Sequence, residues 1–371
     1  MTDFSADDHH YMARALDLAR HGLYSTPPNP SVGCVVVRWG QMVGEGFHGR
    51  AGGPHAEVVA LEDAGHTASG ATAYISLEPC SHHGRTPPCT DALVAAGVAR
   101  VVVAMLDPNP RVNGSGLEQL ERAGIATAHG LLAAEAAEIN RGFVRRMTSG
   151  RPWVTLKLGA SLDGRTALAD GTSKWITGEK ARADVQRLRA RASAIITGSG
   201  TVLADDPMLT VRDPDLEMRG RRPLRVVLDT HLRTPVNAQV LCFANSTLIL
   251  TRDAATPAAC ALRETGARVE SVAFTTDGLD LGAVLEHLAA LECNEVLVEA
   301  GPTLAGEFVR RGLVDEIVVY MAPVVLGHAA RGLFNLPQLE RMCDRCEFEW
   351  RGVEHIGDDL RLTLRPKRGA T

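Results

Sequence analysis

Two short stretches constrain this chain more than any other: Pro54-His55-Ala56-Glu57, and the run EPCSHHGRTPPC from Glu78 to Cys89. They put imidazole, thiol and carboxylate groups on two separate segments, and a fold that uses them must bring both segments to one point. Periodicity says how. A helix is expected to begin at Pro54 or His55 and run through AEVVALEDAG, the strand ATAYISL follows, and a second helix, TDALVAAG, begins beside Cys89. His55 then opens one helix while Cys80 and Cys89 flank the start of another. Soft and borderline metal ligands converge at two helix N-termini.

Three protein ligands plus a water is the coordination of a catalytic zinc, whereas structural zinc closes with four. Glu57, two residues after the histidine, is placed to face that water and relay its proton. H-x-E combined with P-C-x-x-C is the pattern of zinc deaminases, in which one histidine and two cysteines hold the ion. Here His55, Glu57, Pro79 and Cys80 fit, but the third position after Cys80 is His83. The residues alone leave two ligand sets open: His55, Cys80 and Cys89, or His55, Cys80 and His83. A single H-A-E recurs by chance and a free cysteine is commonly a small buried hydrophobe. The combination carries the reading.

One metal site does not require 371 residues. A chain of this length is expected to hold two cores. The first half reads αββαβαβ: a helix near Asp7 to His21, strands CVVV and MVGEGF, the helix-strand-helix just described, and the strand RVVVAML. One further helix through AAEAAEINRGFVRRM leads to TSGRP at Thr148–Pro152, a polar linker. The boundary divides residues 1–147 from residues 152–371. Beyond it, WVTLKLGAS, AIITG, LRVVLD, TLILT, EVLVEAG and EIVVYMAP read as strands separated by helical segments such as Glu179–Ala192 and Leu281–Leu291. The second half is another α/β domain. Its GSGTVL at Gly198 lacks the third glycine of a dinucleotide fingerprint. VEAGPTLAGEF offers a better phosphate site, with Gly301 at a strand-to-helix joint and Pro302 at the first helical position.

Hydrophobic residues at 45% and charged ones at 22% describe a folded protein with sizeable cores. A net charge of -5 with aromatics at 4% argues against a nucleic-acid base deaminase, which needs a basic stripe with interleaved aromatics. The N-terminus has no signal-peptide pattern, and no apolar run approaches a membrane span. Eight irregularly spaced cysteines suit a reducing compartment. The expectations are a cytoplasmic location, small-molecule partners, no nucleic acid, no membrane, and the usual symmetric homo-oligomer. The C-x-x-C at Cys343 and Cys346 has no second pair nearby and is assigned no role.

NPSVGCVVV from Asn29, GGPHAE from Gly52, SLEPCSHHGRTPPC from Ser76 and DPNP from Asp107 resemble the bacterial bifunctional riboflavin-biosynthesis deaminase/reductases. KLGASLDGR from Lys157, SKWITG from Ser173 and TVLADDPMLTVR from Thr201 resemble the reductase half of the same family, so the likeness covers nearly the whole chain. It implies an α/β protein: an N-terminal cytidine-deaminase-like three-layer sandwich followed by a dihydrofolate-reductase-like α/β domain. It also implies Zn2+ on His55, Cys80 and Cys89, with Glu57 catalytic, and NADPH in the second half. The implied substrate is a diaminopyrimidinone bearing a phosphoribosylamino group, deaminated first and then reduced. Asn29 and His48 are the expected base contacts and Arg85 the phosphate contact. The resemblance assigns the nicotinamide nucleotide to Ala160, Trp175, Thr201, Asp205, Thr230 and the loop Gly301, Pro302, Thr303, Leu304, Ala305, Gly306 and Glu307. It assigns the second-step substrate to Ser173, Arg189, Leu209, Arg212 and Glu299, with two arginines converging on one phosphate.

Overall fold

The structure is a computed structural model that describes residues 4–81, 87–110 and 112–367. Its chain divides into two compact units, Met1–Gly150 together with Glu217–Arg221, and Arg151–Leu216 together with Arg222–Thr371. Among the described residues, no helix is long and apolar enough to cross a membrane.

The first unit runs α1 (Ala6–Arg20), β1 (Gly33–Arg38), β2 (Gln41–Phe47), α2 (Ala56–Ala64), β3 (Thr72–Ile75), α3 (Cys89–Ala95), β4 (Arg100–Val103), α4 (Ser115–Arg122), β5 (Ala126–His129), α5 (Ala133–Ile139) and α6 (Arg141–Ser149). Its sheet has the order β2-β1-β3-β4-β5, with β1 antiparallel to both neighbours and β3, β4 and β5 parallel. Side chains alternate across a strand, and the two sheet faces sort accordingly. Val35, Val37, Tyr74 and Val102 pack on α1 and α5. Cys34, Val36, Ile75, Val101 and Val103 pack on α2, α3 and α4. The result is a three-layer sandwich. α1 begins at a capping box in which Ser5 and Asp8 exchange bonds. Buried Asp8 also accepts from Tyr74 Oη at 2.8 Å and pairs with Arg100 at 2.7 Å, which fastens α1 to β3 and β4.

The single helix expected through AAEAAEINRGFVRRM is instead α5 and α6, broken at Asn140. The Asn140 amide accepts from Ser31 N at 2.8 Å and donates to Ser31 O at 2.9 Å, imitating a strand partner. That pair of buried bonds competes with the continuous helix and wins.

Glycines set the separation between β2 and α2. A Cβ at Gly44 would lie 2.3 Å from Ala60 O, and one at Gly46 2.7 Å from Ala56 O. α2 therefore lies flat on the sheet, which fixes the depth of its first turn. Gly44→Ala is expected to force the helix outward and to cost about 1–3 kcal/mol, the usual range for overpacking. Urea denaturation checks this, and an unchanged midpoint would show that the close approach imposes no constraint.

The second unit runs β6 (Trp153–Ser161), β7 (Arg165–Ala167), α7 (Glu179–Arg191), β8 (Ala194–Gly198), α8 (Ser199–Asp205), β9 (Leu224–Leu228), β10 (Thr247–Thr251), α9 (Pro257–Glu264), β11 (Arg268–Ser271), β12 (Phe274–Thr275), β13 (Gly278–Leu279), α10 (Leu281–Ala290), β14 (Glu295–Glu299), α11 (Pro302–Arg310), β15 (Glu316–Ala322), β16 (Arg331–Gly332), β17 (Phe348–Ile356) and β18 (Asp359–Pro366). Nine of these strands form one sheet, in the order β11-β10-β9-β8-β14-β6-β15-β18-β17. It is parallel from β11 to β15, after which β18 and β17 add antiparallel. Central strands buried on both faces read as continuous apolar runs. Ile196, Val226, Leu248 and Val298 meet α10 and α11 on one face, while Ile195, Val227, Ile249 and Leu297 meet α9 on the other.

Candidate active sites

In the first unit, His55 is the N-cap of α2 and Cys89 the first residue of α3, with Cys80 in the segment after β3. Their ligand atoms all lie within 4.8 Å of one another. His55 Nδ1 is 3.1 Å from Cys89 Sγ and 3.6 Å from Cys80 Sγ. Ligands at ordinary zinc distances on a tetrahedron stand about 3.6 Å apart, so a donor set of two thiols and one imidazole fits that ion. The alternative ligand His83, like the expected phosphate contact Arg85, lies outside the described residues.

Electrostatics make a thiolate available. The hydrogen bond from the Cys89 thiol, with further help from His55, brings Cys80 down to about 4, and the shared proton pushes Cys89 up. Its hydrogen bond to Cys80 raises the imidazole of His55. Glu57 sits one residue into α2 with its side chain 3% exposed, and burial raises its carboxyl above the ordinary range. The thiols and imidazole must give up their protons to hold a cation.

His48 is buried, and burial lowers its pKa, so the neutral ring is favoured. Its Nδ1 donates to Pro54 O at 2.9 Å, which leaves Nε2 to accept from Asn29 Nδ2 at 3.0 Å. The His48 ring stands edge-on to His55 with centroids 5.3 Å apart. Asn29 and His48 are therefore one hydrogen-bonded pair beside the ligands.

Sequence reasoning gave Glu78 no part. The structure buries it and surrounds it with three backbone donors: Asp107 N at 3.0 Å, and Gly114 N and Gly116 N at 2.9 Å. One carboxylate thus binds the turn before Pro79-Cys80 to the 107–116 segment. A Cβ at Gly116 would stand 2.2 Å from Pro79 O, so the approach requires glycine there. An acidic residue directly before P-C was the available signal.

In the second unit, Glu299 ends β14 and receives the Arg189 guanidinium as a fork, with Nε–Oε1 at 2.6 Å and Nη2–Oε2 at 3.0 Å. Arg189 Nη1 also donates to Thr210 O at 3.0 Å. The Arg189 fork is thus turned to a carboxylate, and Arg212 beside it is exposed, with its backbone N–H donating to Gln186 Oε1 at 2.9 Å. Lys157 stands opposite Glu299 in the β6–β14 register. Burial lowers the lysine, with Glu299 opposing and Arg189 reinforcing the shift. Burial would raise Glu299, but Arg189 and then Lys157 hold it low. The lysine was legible only as the start of a motif, because its charged neighbours come from distant strands.

Thr201, in the first turn of α8, accepts from Gly301 N at 3.3 Å. Gly301 is the N-cap of α11 and has no side-chain cap bond, so the first-turn N–H groups after Pro302 belong to a helix end without an internal partner. Gly198 approaches Leu304 from the β8 side, where an added Cβ would be 3.6 Å away. Ala160 is buried on β6, and Ala305 and Gly306 are buried in α11. Thr303 Oγ1 accepts from Asn335, while Glu307 pairs with Arg310 and Arg311. Ser173 and Trp175 precede α7, and Trp175 is exposed beneath Arg182 at 4.5 Å. Asp205 O accepts from Lys174 Nζ at 3.4 Å, and Leu209 is buried with φ at +50°. Thr230 follows β9, and its carbonyl accepts from Thr251 at 3.2 Å.

Residues 5–105 match the family described as cytidine and deoxycytidylate deaminase zinc-binding region, and residues 152–362 match the RibD C-terminal domain. Riboflavin biosynthesis protein RibD of Escherichia coli K12 is 51% identical, over 96% of this chain and 99% of that protein. The solved structure of Acinetobacter baumannii RibD, form 1, superposes with a TM-score of 0.92 at 45% identity, covering 98% of this chain and 99% of that one. A Thermotoga maritima structure described as a diaminohydroxyphosphoribosylaminopyrimidine deaminase/5-amino-6-(5-phosphoribosylamino)uracil reductase gives 0.84 at 33% identity, covering 97% and 99%. With matches on both halves and near-complete coverage, the chain belongs to the RibD family of bifunctional riboflavin-biosynthesis enzymes, a zinc-binding deaminase joined to a reductase.

Proposed function

We propose that the first unit hydrolyses the 2-amino group of 2,5-diamino-6-(5-phosphoribosylamino)pyrimidin-4(3H)-one, and that the second reduces the ribosyl chain of the product to give 5-amino-6-(5-phosphoribitylamino)uracil. The observation that carries this reading is the convergence of His55, Cys80 and Cys89 beside the buried carboxyl of Glu57. These three residues would hold zinc, which when bound supplies the Lewis acidity that activates water at neutral pH. Glu57 accepts the proton of the attacking water and returns it to the departing amine, and its burial keeps that proton from bulk solvent. Asn29 orients the pyrimidine edge, held in place by neutral His48. Arg85, between the two cysteines in sequence, binds the phosphate.

In the second unit NADPH, when bound, would supply the hydride. The α11 start and Thr201 would hold its pyrophosphate, and Ala160, Trp175, Asp205 and Thr230 would take the remainder of the nucleotide. Glu299 fixes Arg189 and shares its charge with Lys157, whose ammonium holds a proton beside the reacting chain. Ser173, Leu209 and Arg212 complete the substrate side, with Arg212 as the cation exposed toward a phosphate. Residues 1–147 and 152–371 are the two functional domains of a cytoplasmic homo-oligomer in this reading.

Wild-type protein supplied with the diaminopyrimidine and NADPH is expected to release ammonia and oxidise NADPH in equal amounts, with ammonia appearing first. Ammonia release without NADPH oxidation, even from pre-deaminated substrate, would make the second unit a binding module.

A further inference from the structure

The cations at the carboxyl end of the second sheet separate by what they touch. Parallel α/β sheets take their ligands outside the carboxyl ends of the strands, and here that edge is formed where β8, β9, β10 and β14 end. Thr201 and Gly301 meet at the β8 and β14 ends. One strand further out, the turn after β9 brings Arg233 to the start of α8, where its Nη2 donates to Ser199 Oγ at 3.0 Å. Ser199 opens α8 two residues before Thr201 and is itself buried. The arginine therefore stands one short step from the contact that marks the pyrophosphate.

Its turn is braced. Buried Asp229 accepts from Thr234 N and from Thr234 Oγ1, both at 2.7 Å, and Thr230 O is held by Thr251. Leu232, just before the arginine, has φ at +52°, and Leu232 N donates to Asp229 O at 3.2 Å. Arg233 thus leaves a fixed loop rather than a loose one. Among the described residues no carboxylate forms an ion pair with it, and it is exposed. Of the other arginines at this edge, Arg189 is committed to Glu299 at the end of β14, Arg212 stands beside that pair, and Arg252 after β10 is exposed but one strand more distant from Thr201. A guanidinium that is accessible, held by a neutral hydroxyl and without a carboxylate partner keeps its full charge for an anion.

We infer that Arg233, oriented by Ser199, binds the 2′-phosphate of NADPH and makes the second unit choose it over NADH. This rests on the reductase reading above and adds the residue that distinguishes the two cofactors. They differ only by that phosphate, which lies one ribose beyond the pyrophosphate, and a dianion there requires a cation.

Isothermal titration separates the possibilities, using 2′,5′-ADP, which carries the phosphate, and 5′-AMP, which lacks it. Wild type is expected to prefer 2′,5′-ADP. Arg233→Gln is expected to weaken 2′,5′-ADP by about ten- to a hundred-fold, the loss of a charge-assisted pair, with 5′-AMP unchanged. Arg233→Lys should restore part of the preference, since a point charge replaces the fork. In turnover, the KM for NADPH should rise in the glutamine variant and that for NADH should not. A glutamine variant that keeps the full preference overturns the assignment, as does one that weakens both nucleotides equally. If wild type binds neither nucleotide, the cofactor reading of the second unit fails and this inference fails with it.

Discussion

Glu57→Gln lowers deamination by about two to four orders of magnitude, the usual contribution of a positioned general acid–base group, while zinc content stays at the wild-type level. The amide keeps the size of the carboxyl and its place in the first turn of α2, but it cannot accept the proton of water. Because Glu57 is buried, solvent does not easily replace it as a proton carrier. Ammonia release with the diaminopyrimidine, zinc by elemental analysis and NADPH oxidation with pre-deaminated substrate are measured on one preparation. The expected pattern is loss of the first alone. A variant that still releases ammonia at the wild-type rate removes Glu57 from the chemistry; one that has lost zinc shows that it supports the ligands instead.

Arg189→Met destabilises the second unit by about 3–5 kcal/mol at neutral pH, the range for removing one partner of a buried ion pair. Lys157 stays opposite the remaining carboxylate and favours the low end. Guanidinium denaturation followed by tryptophan fluorescence reports the loss, and Arg189→Met/Glu299→Gln should recover part of it. The pH dependence has a defined sign. Arg189 holds Glu299 below its ordinary pKa, so the stabilisation is present above the unfolded carboxylate value and is lost as pH falls through the folded one. The difference between wild type and the single variant should therefore shrink in acid below about pH 4. A difference independent of pH would mean that Arg189 acts by packing alone.

Much of the architecture was visible from periodicity. WVTLKLGAS is β6 from its first residue to its last, and AIITG and TLILT are β8 and β10. All three are buried parallel strands, whose apolar runs cannot be mistaken for solvated faces. β17 and β18 were missed because they form a half-exposed antiparallel hairpin in which Arg351, Glu354 and Arg361 interrupt the apolar signal. The break at Asn140 was invisible because its cause, Ser31, is distant in sequence. The donor types of the metal site were plain, yet the choice between Cys89 and His83 needed the family pattern. Of the residues that brace the sites, Glu78 could have been suspected from its place before Pro79, whereas Ser199 and Arg233 could not: their meeting depends on two neighbouring strand ends.

The strand order of the second unit also bears on its synthesis. β6 is made first, but in the sheet it lies between β14 and β15, and β15 in turn pairs with β18. Asp359, which opens β18, accepts from Gly178 N at 2.7 Å and so anchors the start of the helix that carries Arg189. On the ribosome, β6 and α7 must wait for partners encoded far downstream, and contacts of such long range form slowly. The first sheet has all its strands by His129 and can assemble while the rest is still being translated. The nascent reductase thus has the longer period of exposed apolar strand, and chaperone dependence or aggregation during overexpression should trace to that half.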